Sequence, residues 1–254
     1  MELTVLGSGT SVPHPYRSSP AFWLDTLAGS LLLDMGPDSA HRMAQEQLDW
    51  PSLDAVWLSH FHLDHFGGLP PFLFSLKWAP QTQSRTKGLR IIGPRGLRAL
   101  INSIDEANNY RLFRQRFNVE ILEVDPYTKF ELLPGLEATT MKTLHTDQSL
   151  ALHLTDQEGK TCMYTGDTGY IEELGEFGRH VNLLLMECSF RSNKPLHTHL
   201  ELVEAASLTQ TCAPETLILT HLYPEWDGID VAAEATSLCS CKVYEATDGL
   251  KIKV

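Results

Sequence analysis

The sequence predicts an α/β protein with mixed sheets, and three observations carry that prediction. Short apolar runs bounded by Gly, Pro and Asp recur along the chain, segments of helical spacing lie between and after them, and two of the longer early runs are joined by a short connection. The first run, LTVLG from Leu3, leads into a Gly/Ser/Pro turn. AFWLD from Ala21 and SLLLD from Ser30 are linked through Asp-Thr-Leu-Ala-Gly, which reads as a hairpin; an antiparallel pair among alternating strands and helices makes the sheet mixed rather than wholly parallel. AVWLS from Ala55 and LRIIG from Leu89 complete the early strands. Helical spacing runs over residues 94–107, after the Gly-Pro at 93–94, and again over 199–211 and 228–237. Residues 172–177 read as a short helix with His180 at its end, where a basic side chain suits the dipole. QSLALHLTDQEGKTCMYTG reads as a hairpin turning at Glu158-Gly159.

A chain of 254 residues fits one α/β core, and no linker, repeat or low-complexity tract divides it, so one domain over 1–254 is expected. With 43% hydrophobic and 20% charged residues, disorder, coiled coil and collagen are excluded. No apolar run approaches the roughly 20 residues of a membrane helix, and MELTVLGSGTSVP reads as strand and turn rather than a signal peptide; a cytoplasmic location with no membrane partner is expected. Cys162, Cys188, Cys212, Cys239 and Cys241 contain no CxxC pair, so reduced thiols are expected rather than disulfides or a zinc ribbon. The net charge of −12 argues against a protein that coats nucleic acid.

Chemistry concentrates in SHFHLDHFGG, where the apolar run AVWLS ends and His60, His62, Asp64 and His65 follow at once. Imidazole and carboxylate groups are poor strand-end residues unless something satisfies them, and they suit zinc, iron or manganese. Alternate spacing directs His60 and His62 to one side, while Asp64 and His65 can turn to a second centre.

The segment matches the His-x-His-x-Asp-His signature, and the chain resembles the metallo-β-lactamase superfamily. Further matches follow in the family's order: His145 after EATTMKTL, Asp167 in YTGDT, and His221 at the end of TLILTH. The resemblance implies a four-layer αββα sandwich of two mixed β-sheets. It further implies two divalent metal ions, zinc first and manganese or iron as alternatives. His60, His62 and His145 would hold one ion, Asp64, His65 and His221 the other, and Asp167 would bridge, with Asp64 also counted among the catalytic residues. About four positive charges would face about three negative ones, a local excess that lets a small anionic substrate bind despite the acidic surface.

Within the superfamily, His62 stands where the redox diiron branch has glutamate, and His65 and Asp167 depart from true β-lactamases. The opening GSGTSVPHPYRSS and the late ECSF…HTHLELVEAA resemble ribonuclease Z and its small phosphodiesterase relatives. That branch implies phosphodiester hydrolysis, of a cyclic nucleotide, a cyclic sugar phosphate or a short nucleic-acid end. The alternatives are a carboxylic or sulfuric ester or lactone hydrolase, a tRNA 3′-processing endonuclease, and a metal-binding regulatory protein without catalysis. The usual ribonuclease Z carries a long tRNA-gripping arm between its third-motif histidine and bridging aspartate; here only residues 146–166 intervene, which favours a small phosphodiester over nucleic acid. Relatives imply a homodimer. His199, counted back from Ala205-Ala206, takes the place of the relatives' histidine that reaches the scissile phosphate, Glu187 that of the acid supporting it, and His197 is a loop neighbour.

Other features carry less. NNYRLFRQRF, residues 108–117, reads first as an amphipathic surface helix and second as a nucleotide contact by charge and stacking. Arg17 is either a phosphate ligand or an exposed turn residue, and His14, His41 and His153 read as surface residues.

Overall fold

The structure, a computed structural model, describes residues 1–254. The first sheet is built from β1 (Glu2–Gly7), β2 (Ala21–Thr26), β3 (Gly29–Leu33), β4 (Ala55–Trp57), β5 (Leu89–Pro94) and β6 (Val119–Val124). The second holds β7 (Lys129–Leu133), β8 (Leu136–Lys142), β9 (Leu150–Asp156), β10 (Thr161–Tyr164), β11 (Leu183–Glu187), β12 (Thr216–Thr220) and β13 (Lys242–Glu245). A last strand, β14 (Lys251–Lys253), returns to the free edge of β1. Both sheets are mixed and seven-stranded, in the orders β14-β1-β2-β3-β4-β5-β6 and β13-β12-β11-β10-β9-β8-β7. Each is antiparallel in one half and parallel in the other, the change falling at β3 and at β10.

Side-chain alternation makes the layers. Leu31 and Leu33 face the second sheet with Phe22 and Trp57, meeting Leu152, Leu183 and Leu185 in a core between the sheets. Leu32, one residue out of phase, faces outward with Trp23 and Val56 onto α1 (Ser39–Gln45), the short α2 (Leu63–Phe66), α3 (Leu69–Trp78) and α4 (Leu97–Ala107). On the other side Leu184 and Met186 pack on α5 (Glu172–Phe177), α6 (Leu202–Cys212) and α7 (Val231–Thr236). The result is the four-layer αββα sandwich. Each fully buried Leu contributes about 1.5–3 kcal/mol, so truncating Leu33, which is 0% exposed, to Ala costs about 2–5 kcal/mol.

Several expected elements are shorter. Pro94 stays in β5, and Gly96 turns the chain at φ 98° before α4 starts. The helix expected from residue 199 starts at Leu202, because Glu201 and Glu204 form a reciprocal capping box that leaves His199 in the preceding loop. The helix expected over 228–237 contracts to α7, capped by the Asp230 side chain accepting from the Ala233 amide. His180 lies beyond the end of α5 with φ 62°, its amide donating to Cys212 O.

Residues 108–117 do not form the expected amphipathic helix. Asn109 and Arg111 take left-handed φ values of 49° and 58°, the Asp105 carboxylate accepts from the Leu112 amide, and Leu112 and Phe117 are drawn into the core against α3 and β5. Two histidines expected at the surface are also placed otherwise. His14 is 12% exposed and bonded to Asp227 at 3.1 Å, and His153 is half-buried against Phe177. The hairpin at Gly159 joins β9 to β10 directly, all five cysteines are free, and no helix is long and apolar enough to cross a membrane.

Candidate metal centre

β8, β10, β11 and β12 run toward one edge of the second sheet, and β3 and β4 toward the same edge of the first. Carboxyl ends of such strands are where α/β sheets place ligands. His145, Asp167, Glu187 and His221 stand at or just beyond the second set, and Asp34 and the Ser59–His65 segment just beyond the first. Gly166, at φ +57°, closes the gap: a Cβ there would lie 2.7 Å from Ser59 Cβ, so the loop after β10 meets the loop after β4 only with glycine. Asp34 and His221 themselves hold left-handed φ values of 56° and 57°, a conformation that non-glycine residues adopt only when their surroundings enforce it.

The Asp167 carboxylate lies at the centre. Its oxygens are 3.7 Å from His60 Nε2, 3.2 Å from His65 Nε2, 3.5 Å from His145 Nε2 and 3.3 Å from His221 Nε2. His60, His62, His145 and Asp167 form one group whose donor atoms all lie within 4.8 Å of one another, and Asp64, His65 and His221 form another. Within them His62 Nδ1 is 3.0 Å from His145 Nε2, and Asp64 is 3.6 Å from both His65 and His221. The fold therefore brings together every residue that the motifs singled out.

The Nε2 atoms of His60, His65 and His221 are buried and make no hydrogen bond. An orphaned buried polar atom costs about 1–3 kcal/mol, and three of them gathered round one carboxylate fit a cationic occupant. The donor set is that of a divalent-metal site. Charge agrees. Although burial opposes ionisation, the imidazoles of His221 and His65 hold the Asp167 carboxyl well below its ordinary value, and Asp64 is lowered against burial by His221 and His65. Burial pushes His60 well down; His65, despite burial, is raised well above 6.5 by Asp167 and Asp34.

Asp34 is a buried acid at the centre that the motifs did not mark. Fully buried, it accepts from the Ser59 amide (2.7 Å), the Ser59 hydroxyl (2.7 Å), His65 Nδ1 (2.6 Å) and the Tyr164 hydroxyl (2.6 Å). The available signal was the same as for its neighbours: an acid closing an apolar run, SLLLD. Across the edge, Glu187 is as enclosed, accepting from Thr168 N (2.6 Å), Leu200 N (3.1 Å), the Ser189 hydroxyl (2.6 Å) and His199 Nδ1 (3.0 Å). Burial works to lower the His199 pKa, but the Glu187 charge and hydrogen bond prevail and raise it above 6.5. A His199 ring nitrogen lies within 4.8 Å of ligand atoms on Asp167 and His221. His197 is exposed, and Arg17 is paired with Glu245 at 2.7 Å and bonded to Ala246 O, so it is neither free for a phosphate nor an exposed turn residue. The basic segment 108–117 lies against α3 and shares no hydrogen bond with the centre.

A family model described as Anti-Pycsar protein Apyc1 matches residues 1–242. Among curated proteins, the ribonuclease Z of Thermoplasma volcanium is 23% identical over 273 residues, covering 88% of each chain. Among solved structures, the metallo-β-lactamase fold protein YhfI of Bacillus subtilis superimposes with a TM-score of 0.83 at 24% identity, covering 99% of both chains. A diphosphatase of the PhnP family does so with a TM-score of 0.75 at 20% identity, over 100% of this chain and 97% of that one. These two structures share the fold.

Proposed function

From the premise that the chain belongs to the family described as Anti-Pycsar protein Apyc1, on a metallo-β-lactamase fold, we propose that it is a metal-dependent hydrolase of small phosphodiesters. The observation that carries the reading is the set of orphaned Nε2 atoms of His60, His65 and His221 gathered round the buried Asp167 carboxylate. His60, His62 and His145 would hold one ion, Asp64, His65 and His221 would hold the second, and Asp167 lies between the two groups. Zinc is the proposed metal. When bound, two such ions bring the pKa of a water down to roughly 7 and polarise the attacked phosphoryl group.

The remaining work falls to the chain's own side chains. Asp34 and Glu187 orient the rings behind the donors. His199, with Nδ1 held by Glu187, turns Nε2 toward the substrate and, when protonated, donates to the leaving oxygen or to the charge that builds on the phosphoryl oxygens. Such a contribution is on the order of 10²–10⁴ in rate. The direct turn between β9 and β10 supports a compact substrate, a cyclic nucleotide, a cyclic sugar phosphate or a short nucleic-acid end, over tRNA.

The test is an activity panel on zinc-reconstituted protein with bis(p-nitrophenyl) phosphate, cyclic nucleotides, precursor tRNA, a lactone and a sulfate ester. A small phosphodiester is expected to give the highest kcat/KM. Preference for the lactone or sulfate ester would move the chain to ester hydrolysis, and correctly placed cleavage of precursor tRNA would make it a ribonuclease Z, the reading favoured by the T. volcanium relative. The homodimer belongs to the same proposal and is checked by sedimentation.

A further inference from the structure

Ser189 lies in the ECSF segment two residues beyond the end of β11, is 0% exposed, and is not among the proposed metal ligands. Its hydroxyl oxygen is 2.6 Å from Glu187 Oε2, 2.9 Å from His221 Nδ1 and 3.2 Å from His199 Nδ1. A hydroxyl has one proton and two lone pairs, and a carboxylate offers acceptors only, so the proton goes to Glu187. What remains at Oγ is acceptor capacity, and the two ring nitrogens facing it must be N–H donors. His199 Nδ1–H is shared between Ser189 and Glu187 Oε1, while His221 Nδ1–H has Ser189 as its only partner. Both rings are thereby fixed with Nδ1 protonated and Nε2 turned inward. They lie nearly parallel, centroids 5.3 Å apart and planes 14° apart, one above the other over the same hydroxyl.

The first sheet repeats the device. The Ser59 hydroxyl donates to Asp34 Oδ2, again an acceptor only, and therefore accepts from His60 Nδ1 at 3.0 Å, leaving His60 Nε2 as the inward atom. Carboxylate, serine and histidine stand in the same order on both sides of the centre.

We propose that Ser189 is a positioning residue whose hydroxyl fixes the Nδ1–H tautomers of His221 and His199 together, yoking the ring on the metal side to the ring on the substrate side. The inference rests on the metal-dependent reading above. Groups that orient a ligand histidine through its second nitrogen are worth roughly 10–100-fold in metal affinity or activity. Without the Ser189 hydroxyl, His221 Nδ1 loses its acceptor and the ring its orientation, and His199 keeps only its bond to Glu187.

The experiment uses full-length protein, zinc alone as the probe, and Ser189→Ala beside Ser189→Thr. Zinc affinity is read by competition with a chromophoric chelator, and imidazole tautomers by long-range proton–nitrogen spectra of 15N-histidine-labelled, metal-free protein at a pH where the two imidazoles are neutral. Wild type is expected to show His199 and His221 as Nδ1–H tautomers. Ser189→Ala is expected to weaken zinc binding by about 10–100-fold and to lose the single His221 tautomer. Ser189→Thr, which keeps the hydroxyl, should restore both. Ser189→Ala protein with wild-type zinc affinity and unchanged tautomers overturns the inference alone, as does Ser189→Thr protein as impaired as Ser189→Ala. Wild-type protein that takes up no zinc overturns the metal reading itself.

Discussion

The two sheets furnish the centre with the same parts and use them differently. On the first, Asp34 takes one histidine directly, His65, and a second through a serine, Ser59 to His60. On the second, Glu187 takes His199 directly and His221 through Ser189. Both histidines of the first relay are proposed metal ligands, whereas in the proposed function the second relay commits His221 to the metal and leaves His199 for the substrate. The first sheet also delivers its donors from one continuous segment, His60 to His65, while the second supplies one residue per strand end, at His145, Asp167 and His221. A sheet that donates a block can make a rigid wall. A sheet that donates singly can place one group out of the set.

The strongest test of this division removes what the two sides share. Asp167 is within 4 Å of four imidazoles drawn from both sheets. Asp167→Ala is expected to reduce metal content by elemental analysis and to bring turnover to background. Retained stoichiometric metal with measurable turnover would mean that the sides do not share a carboxylate.

The next test separates the second relay's two histidines. His199→Ala should keep its full metal content and lose kcat by about 10²–10⁴. The loss should shrink with a p-nitrophenolate leaving group if proton donation dominates, and persist if charge stabilisation does. His197→Ala, on an exposed loop position, should be milder. The proximity of His199 to Asp167 and His221 gives this variant a second reading: loss of an ion would make His199 a ligand and both relays alike.

How much of this was legible in the sequence follows from the same contrast. The block from His60 to His65 announces itself, because such clustering is rare without a ligand, and the scattered His145, Asp167 and His221 became legible only as an ordered set at the ends of apolar runs. The strands read well because burial on both faces leaves unbroken apolar runs closed by a polar residue, as in AFWLD and SLLLD. Asp34, Ser59, Tyr164 and Ser189 were not singled out, because a buried polar residue that holds another side chain has no spacing of its own. The segment 108–117 differs: its interleaved Arg and aromatic residues read as an amphipathic helix, but the Asp105 carboxylate and the burial of Leu112 and Phe117 override local preference.

Replacing each carboxylate in turn sharpens the comparison at a smaller scale. Every atom facing Asp34 is a donor, so Asp34→Asn sets an amide N–H against donors and should weaken zinc binding about 10–100-fold. Glu187→Gln should act mainly on kcat, with a smaller change in zinc affinity, because only one of its two histidines is a proposed ligand. Chelator competition and steady-state kinetics on both variants decide it. Equal losses of zinc affinity would erase the distinction between the sides.

The smallest expected effect is a change in the sign of a pH slope. In metal-free protein His65 and His199 have raised pKa values, so the stability they give is fully present below their unfolded value of 6.5 and is lost as pH rises through the folded values. His60, His145 and His153 are lowered, chiefly by burial, so their neutral forms suit the fold, and stability is lost as pH falls from 6.5 through their folded values. Metal-free protein should therefore melt highest near pH 6.5 and lose Tm above it. Zinc reverses the upper limb: ligand histidines must give up their protons to bind, so affinity rises with pH, and each factor of about 1,000 in free metal over Kd adds about 4 kcal/mol. Thermal melts from pH 6 to 8, with and without zinc, should diverge, and His65, the raised histidine of the first relay, should dominate the metal-free limb. Parallel slopes in the two states would show that zinc does not displace the protons of that relay, and would count against the first sheet as the committed metal wall.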